Sequence, residues 1–311
     1  MSSTPQFAKE SDGTGAFVRQ DSVFRDRVTA DGSSGYPAEA GRYHLYVSLA
    51  CPWAHRAVIV RALKGLEAAI DVTVVDPIRD ERGWRFLSEQ PDPLHGWTSL
   101  SEGYLQSNPR FEGRVTVPVL WDKETGRIVN NESSEIIRML NREFDAWGDP
   151  SLDLYPAPLA AGIDALNARL YGAVNNGVYK AGFATVQSAY EAALVPLFAM
   201  LDELDERLAT RRFLFGPHMT ETDIRLFTTL VRFDLVYYSH FKCNLRQIRD
   251  YTFLQGWLRD MYQTPGIAET VDMAQIKRHY YGSQRWVNPT GIIPVGPPVD
   301  LTAAPGRNHL P

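Results

Sequence analysis

Residues 42–78 read RYHLYVSLACPWAHRAVIVRALKGLEAAIDVTVVDPI, and this stretch decides the fold. Tyr43, Leu45 and Val47 alternate with His44, Tyr46 and Ser48, the period of a strand. Pro52 follows Cys51 at once, and residues 53–67 predict a helix with proline at its start. Residues 71–78 (DVTVVDPI) predict a second, β-branched strand. A strand–helix–strand unit of this length brings its two strands together in parallel.

Downstream, residues 79–113 carry Trp84, Phe86 and Trp97 among polar, Pro and Gly positions and read as a long connection with little regular structure. Then VTVPVLWD (115–122) predicts a strand, KETGR a turn, and residues 128–130 a short partner strand. ESSEIIRMLNREF (132–144) opens with acidic and Ser residues, which suit a helix N-terminus. The order β-α-β, then β-β-α, is that of a thioredoxin-like domain, spanning 41–148. Residues 145–158 (DAWGDPSLDLYPAP) read as a linker, and the segment to about 280 reads as helix, with candidates at 160–174, 185–208, 221–239 and 246–262. The fold class is therefore α/β plus all-α: an irregular arm (1–40), a thioredoxin-like domain, an all-helical domain (149–282), and a tail (283–311). Six prolines keep that tail from being a helix and predict that it wraps the surface.

A length of 311 residues with 44% hydrophobic content suits two cores. The net charge of -5 gives no general attraction to nucleic acid or anionic membrane, and no apolar run is long enough for a membrane span. The N-terminus is polar, without the apolar core of a signal peptide, so a soluble cytoplasmic protein is expected. Two cysteines, Cys51 and Cys243, make neither a disulfide framework nor a zinc site, and no His cluster accompanies them, so no metal is expected. HExxH, GxxxxGK and GxGxxG are absent.

Cys51 stands where a strand ends and a helix begins. Free N–H groups and the positive end of the helix dipole favour an anion there, so the thiolate becomes the reactive form. A small buried apolar residue is the competing reading of a lone cysteine. His55 and Arg56, one turn on, could add positive charge. A dithiol redox protein would have its second cysteine at position 54, but Ala54 is there. A mixed disulfide on Cys51 must then be resolved by an external thiol, which implies a small-molecule thiol as second substrate. Val117-Pro118 opens a strand; in thioredoxin-like folds the proline here is cis and presents the preceding backbone to a peptide-like ligand. Glu132-Ser133 offers helix N–H groups, a hydroxyl and a carboxylate, the donors and acceptor that an amino-acid zwitterion requires, although simple N-capping uses the same residues. Thr220-Glu221-Thr222-Asp223 reads as a structural capping box. Two aromatic clusters, residues 171–190 and 276–286, pair tyrosines with basic neighbours. The NNG step at 175–177 breaks helical periodicity, which favours a loop or helix end lining a pocket, with tyrosine hydroxyls suited to a phenolic or quinoid ring.

With those residues assembled, the chain resembles the glutathione transferase superfamily and, within it, the glutathionyl-hydroquinone reductases or xi class. The resemblance rests on CPWAHR (51–56), RVTVPVLWD (114–122), NNESSEIIRML (130–140), NNGVYKAGFATVQSAY (175–190) and IKRHYY…NPTGIIPVGP (276–297), and covers the chain from about residue 40. It implies glutathione as co-substrate, a glutathionyl-hydroquinone as the second, and a homodimer. It also implies Cys51 as nucleophile, with Val117 pairing its backbone with glutathione, Glu132 and Ser133 holding the γ-glutamyl end, and Trp84 and Arg114 as further glutathione contacts. Tyr179 and Tyr280 fall on the hydroquinone side as proton donors, with Tyr281 a competitor of Tyr280. A general thioltransferase or dehydroascorbate reductase of omega-like type would use the same thiolate. A non-enzymatic relative would be marked by loss of the nucleophile or of the γ-glutamyl site, and both are present.

Overall fold

The computed structural model describes residues 10–310. They fall into two compact, discontinuous units: Gln20–Asp153 with Glu269–His279, and Leu154–Ala268 with the described residues up to Arg19 and from Tyr280 onward.

The first unit is built on a four-stranded sheet in the order β2-β1-β3-β4, from β1 (Tyr43–Val47), β2 (Asp71–Val74), β3 (Val119–Asp122) and β4 (Arg127–Asn130). β1 pairs in parallel with β2 and antiparallel with β3, and β3 runs antiparallel to β4. The β1–β2 connection is α1 (Pro52–Leu63); β4 leads into α3 (Ser133–Arg142). Every residue of β1 is buried, on both faces of its alternation. The 79–113 connection explains this. Phe86 and Trp97 pack against Tyr46 at ring-centroid distances of 5.8 and 6.0 Å, and Trp97 meets Trp121 at 5.1 Å. Tyr46 donates to Asp92 at 2.8 Å, His44 pairs with Thr73 at 2.8 Å, and burial lowers the His44 pKa to about 4, so that ring is neutral. The connection is also less irregular than expected: it contains α2 (Ser101–Ser107) and short bridges such as Arg85–Ser99.

Lys64, just past the end of α1, is fully buried. Its Nζ donates to Asp145 Oδ1 (2.7 Å) and to the carbonyls of Asp149 (2.5 Å) and Leu152 (2.9 Å), which fixes the first part of the linker. One buried ammonium thereby uses its three donors on three acceptors.

The second unit contains α4 (Ala160–Leu170), α5 (Gly177–Gly182), α6 (Gln187–Leu208), α7 (Glu221–Arg232) and α8 (Thr252–Gln263), and takes up the last residues of α9 (Met273–Ser283). The helices predicted at 160–174 and 221–239 each end in a widened π-type turn, Tyr171–Asn175 and Phe233–Tyr237. The buried Asn175 amide donates to Arg225 O (2.9 Å) and Thr229 Oγ1 (2.8 Å) on α7, so the NNG step is a bond between helices that regular α-geometry would misdirect. The helix expected at 246–262 begins at Thr252, after a 3₁₀ turn over Ile248–Asp250. Thr220 and Asp223 form the capping box, and Asp223 also accepts from Leu214 N and Trp257 Nε1. Along the tail, Arg307 is buried and donates to the carbonyls of Leu208 (3.0 Å), Arg212 (3.1 Å), Arg211 and Phe253 (3.3 Å), which docks this segment on the helices.

Candidate active site

Cys51 is the N-cap of α1, with extended backbone (φ -81, ψ 122) and Pro52 as the first helical residue. Proline has no N–H to leave unsatisfied, and its fixed φ starts the helix directly behind the sulfur. The thiol is partly accessible and donates to the Val117 carbonyl oxygen at 3.6 Å. The Val117–Pro118 peptide bond is cis, and Val117 is buried. Next to it, Thr116 N donates to the Tyr104 hydroxyl, which itself donates to Thr116 O. The loop before β3 is thus held from behind while Val117 faces the sulfur. Arg114, three residues earlier, is half-buried, and its backbone N–H donates to Gln20 Oε1 at 3.3 Å.

Glu132 is the N-cap of α3, its Oε1 accepting from Ser134 N (3.0 Å) and Ser134 Oγ (2.8 Å), while Oε2 accepts from Ser22 Oγ (3.1 Å). Burial acts to raise its pKa, but the Ser134 N–H and hydroxyl, the charge of Arg56 and the Ser22 hydroxyl outweigh it and hold the carboxyl below its ordinary range. The carboxylate is therefore ionised, and the capping function and an acceptor for an ammonium coexist on one side chain. Ser133 is buried, and its hydroxyl accepts from Arg56 Nη1 at 3.3 Å.

The two basic residues after Cys51 are committed elsewhere. His55 is fully buried with Nε2 on Thr270 Oγ1 at 2.8 Å, and Arg56 stacks its guanidinium over Trp53 at 4.4 Å while reaching Ser133. Arg56 serves the Glu132–Ser133 corner. Trp84 is buried, stacked on His279 (5.0 Å between centroids) with the Arg79 guanidinium 5.1 Å from its ring. His279 Nδ1 donates to Pro77 O at 2.7 Å, which fixes that imidazole.

Within the helical unit, the hydroxyls of Tyr179 (α5) and Tyr280 (α9) are 2.5 Å apart, and Tyr237 meets Tyr280 at 2.8 Å. Burial pushes the phenols of Tyr237 and Tyr280 well above their ordinary range, so both keep their protons. Tyr281 is not in this chain of hydroxyls: its own pairs with Ser239 Oγ and with Leu235 O (3.3 Å). Cys243 is fully buried, its sulfur near Val178 O and Phe241 O (both 3.9 Å), and burial pushes that thiol up. A neutral, enclosed thiol is a poor resolving nucleophile. Among the described residues no group of three or more His, Cys, Asp or Glu could hold a metal ion, and no helix is long and apolar enough to cross a membrane.

Several of these residues escaped the sequence reading. Tyr237 is the last residue of a π-type turn, and its hydroxyl meets that of Tyr280. The Tyr237-Tyr238 pair resembled the other paired tyrosines and was the available signal. The arm supplied three more: Arg19 over the Tyr179 ring, Gln20 on Arg114 N, and Ser22 on Glu132. These residues follow no period, so nothing local marks them.

Residues 50–143 match the glutathione S-transferase N-terminal domain model, and residues 187–260 the glutathione S-transferase C-terminal domain model. Glutathionyl-hydroquinone reductase YqjG of Escherichia coli K12 is 53% identical over 304 residues, spanning 94% of this chain and 93% of its own length. Glutathionyl-hydroquinone reductase PcpF of Sphingobium chlorophenolicum is 51% identical over 286 residues, spanning 91% and 90%. The glutathione-bound structure of YqjG matches with a TM-score of 0.90 over 92% of this chain and 96% of the other. With both domain models matched and half the residues shared along nearly the whole length, the chain belongs to the glutathionyl-hydroquinone reductases, the xi class of the glutathione transferase superfamily.

Proposed function

We propose that this enzyme reduces glutathionyl-hydroquinones to hydroquinones, with glutathione as reductant and Cys51 as the nucleophile. The observation that carries the reading is the Cys51 thiol at the head of α1, 3.6 Å from the carbonyl beside a cis-proline, with Ala54 where a dithiol enzyme has its second cysteine. The thiolate attacks the glutathione sulfur of the substrate. The new S–S bond forms as the sulfur–ring bond breaks, and the electron pair of that bond goes to the ring carbon, which takes up a proton. Free hydroquinone leaves, and Cys51 holds glutathione as a mixed disulfide. A second glutathione attacks that disulfide, giving oxidised glutathione and restoring the thiolate. Glutathione bound to Cys51 resembles a short extended strand. Val117 pairs with its backbone, and the ionised Glu132 with the Ser133 end of α3 accepts its ammonium and donates to its carboxylate. Trp84 and Arg114 complete the glutathione side. Tyr179 and Tyr280 serve the ring, where general-acid help is worth about 10²–10⁴-fold; Tyr281, whose hydroxyl has other partners, supports them by packing.

We assign the protein to the cytoplasm, where reduced glutathione is abundant, and expect a homodimer, which light scattering on the purified protein tests. The test of function is turnover of a glutathionyl-hydroquinone with excess glutathione, followed by chromatography. Free hydroquinone and oxidised glutathione in equal amounts are expected. Activity on dehydroascorbate or a simple mixed disulfide without hydroquinone release would move the enzyme to omega-like thiol transfer.

A further inference from the structure

Ser22 lies outside every motif, on the arm that precedes the sheet, yet its place is closely fixed within the first unit. The Phe24 N–H donates to Asn131 Oδ1 at 3.1 Å and the Asn131 N–H to Phe24 O at 3.1 Å, with an antiparallel bridge between Arg25 and Asn130 beside them. The Phe24 ring packs edge-on against Tyr104 at 5.5 Å, and on the other side of Ser22, Gln20 Oε1 accepts from Arg114 N at 3.3 Å. Held from both sides, the half-buried Ser22 hydroxyl has two acceptors in reach: Glu132 Oε2 at 3.1 Å and Asn131 O at 3.2 Å. It carries one proton and cannot serve both fully. Glu132 Oε1 already accepts from Ser134 N and Ser134 Oγ, so Oε2 is the oxygen left to meet a charged ligand. An ammonium there faces a hydroxyl proton aimed at the same oxygen unless that proton turns away, and the Asn131 carbonyl gives it somewhere to turn at nearly the same distance. A hydroxyl that donates to Asn131 O keeps its own lone pairs as acceptors. Its oxygen is 3.1 Å from Glu132 Oε2, so one ammonium, with three N–H donors, can donate to both.

We propose that Ser22 is a binding residue for the γ-glutamyl ammonium of glutathione: its proton turns from Glu132 to the Asn131 carbonyl, and its oxygen joins Glu132 Oε2 as a second acceptor. The proposal rests on the reading above, in which Glu132 receives this ammonium. No covalent bond changes; the hydroxyl rotates about its Cβ–Oγ bond and exchanges one acceptor for another. Until the ammonium arrives, the same hydroxyl satisfies the carboxylate, so neither arrangement leaves a polar group unpaired. A ligand that keeps the γ-glutamyl carboxylate but lacks the amino group gains nothing from Ser22. The arm thereby selects for that amino group.

The test is calorimetric binding of two tripeptides to the full chain: glutathione, and glutaryl-cysteinyl-glycine, which differs only in lacking the α-amino group. The unaltered protein should prefer glutathione. Ser22→Ala is expected to weaken glutathione about tenfold, as for loss of one hydrogen bond to a charged group, and to leave the analogue within about twofold. Ser22→Thr keeps the hydroxyl and should retain most of the preference. Ser22→Val has the shape of threonine without the hydroxyl and should lose the preference as Ser22→Ala does, so the Thr and Val pair decides the matter if Ser22→Ala fails to fold. Equal weakening of both ligands would mean that Ser22 only braces the arm, and tighter glutathione in Ser22→Ala would mean that its hydroxyl merely competes for Glu132; either result would overturn the proposal. Equal binding of the two tripeptides by the unaltered protein would instead overturn the reading of Glu132 beneath it.

Discussion

The Cys51 sulfur and the Val117 carbonyl oxygen face each other across 3.6 Å, although 66 residues separate them in the chain. The contact ties the head of α1 to the loop before β3, and it aligns the nucleophile with the backbone edge that a glutathione strand would join. On the proposed mechanism, a disulfide formed on Cys51 would carry its glutathione half beside that edge.

Replacing the sulfur tests this directly. Cys51→Ser keeps size and hydrogen bonding but cannot form a disulfide, so turnover should fall by at least about a thousandfold, as for loss of a covalent nucleophile, with unchanged far-ultraviolet circular dichroism. Intact-mass spectrometry after exposure to substrate without added glutathione should show one glutathione adduct on the wild type and none on Cys51→Ser. Cys243→Ser should retain both adduct and turnover, because that thiol is enclosed. A second adduct, or activity lost at low glutathione in Cys243→Ser, would restore a resolving role for it.

Glu132→Gln separates binding from chemistry. Loss of the carboxylate should raise KM for glutathione with little change in kcat, since the γ-glutamyl end is remote from the sulfur. The same variant has a pH signature. The Glu132 pKa is depressed from 4.5 in the folded state, so its contribution to stability is fully present above that value and is lost as the pH falls through the lower, folded value. Denaturant midpoints measured from neutral pH down into this acidic range should decline less in Glu132→Gln than in the wild type. Parallel declines would mean that the carboxylate is not held ionised by its partners.

The backbone frame around the candidate site was legible because its signals are local. A strand, a Cys-Pro pair and a helix sit within a dozen residues, and Val117-Pro118 and Glu132-Ser133 each mark their own backbone positions. What escaped is non-local. Trp97 from the long connection covers Tyr46, and no period within residues 79–113 announces that packing. Tyr237 meets Tyr280 from a widened helical turn, and Ser22 and Arg19 are irregular residues whose value lies wholly in distant partners. The pairing of His55 with Thr270 likewise joins residues 215 positions apart, which no local pattern announces.

Lys64→Met should destabilise the protein without altering its chemistry. The buried ammonium holds Asp145 and two backbone carbonyls, and a methionine of similar volume leaves those acceptors without a donor. Urea denaturation should show a loss of about 1–3 kcal/mol, while kcat per folded molecule stays near the wild-type value. A neutral effect would mean that water reaches the carbonyls when the ammonium is gone.

Tyr280→Phe probes the hydroxyl cluster. The change deletes one oxygen and breaks the buried hydrogen bonds that Tyr280 makes with Tyr179 and Tyr237. Stability should drop by about 1–3 kcal/mol on that account alone. Turnover of a glutathionyl-hydroquinone should fall by about ten- to a hundredfold, below the full value of a general acid because Tyr179 keeps its own proton and loses only the hydroxyl that supports its anion. Turnover of a simple glutathione mixed disulfide should fall far less, since a thiolate leaves without needing a proton on carbon. Tyr281→Phe makes the contrast: its hydroxyl pairs with Ser239 and Leu235, so it should cost stability while lowering both activities to the same degree. If Tyr280→Phe instead lowered both activities equally and Tyr281→Phe discriminated between the substrates, the proton-donating role would belong to Tyr281 and its serine partner.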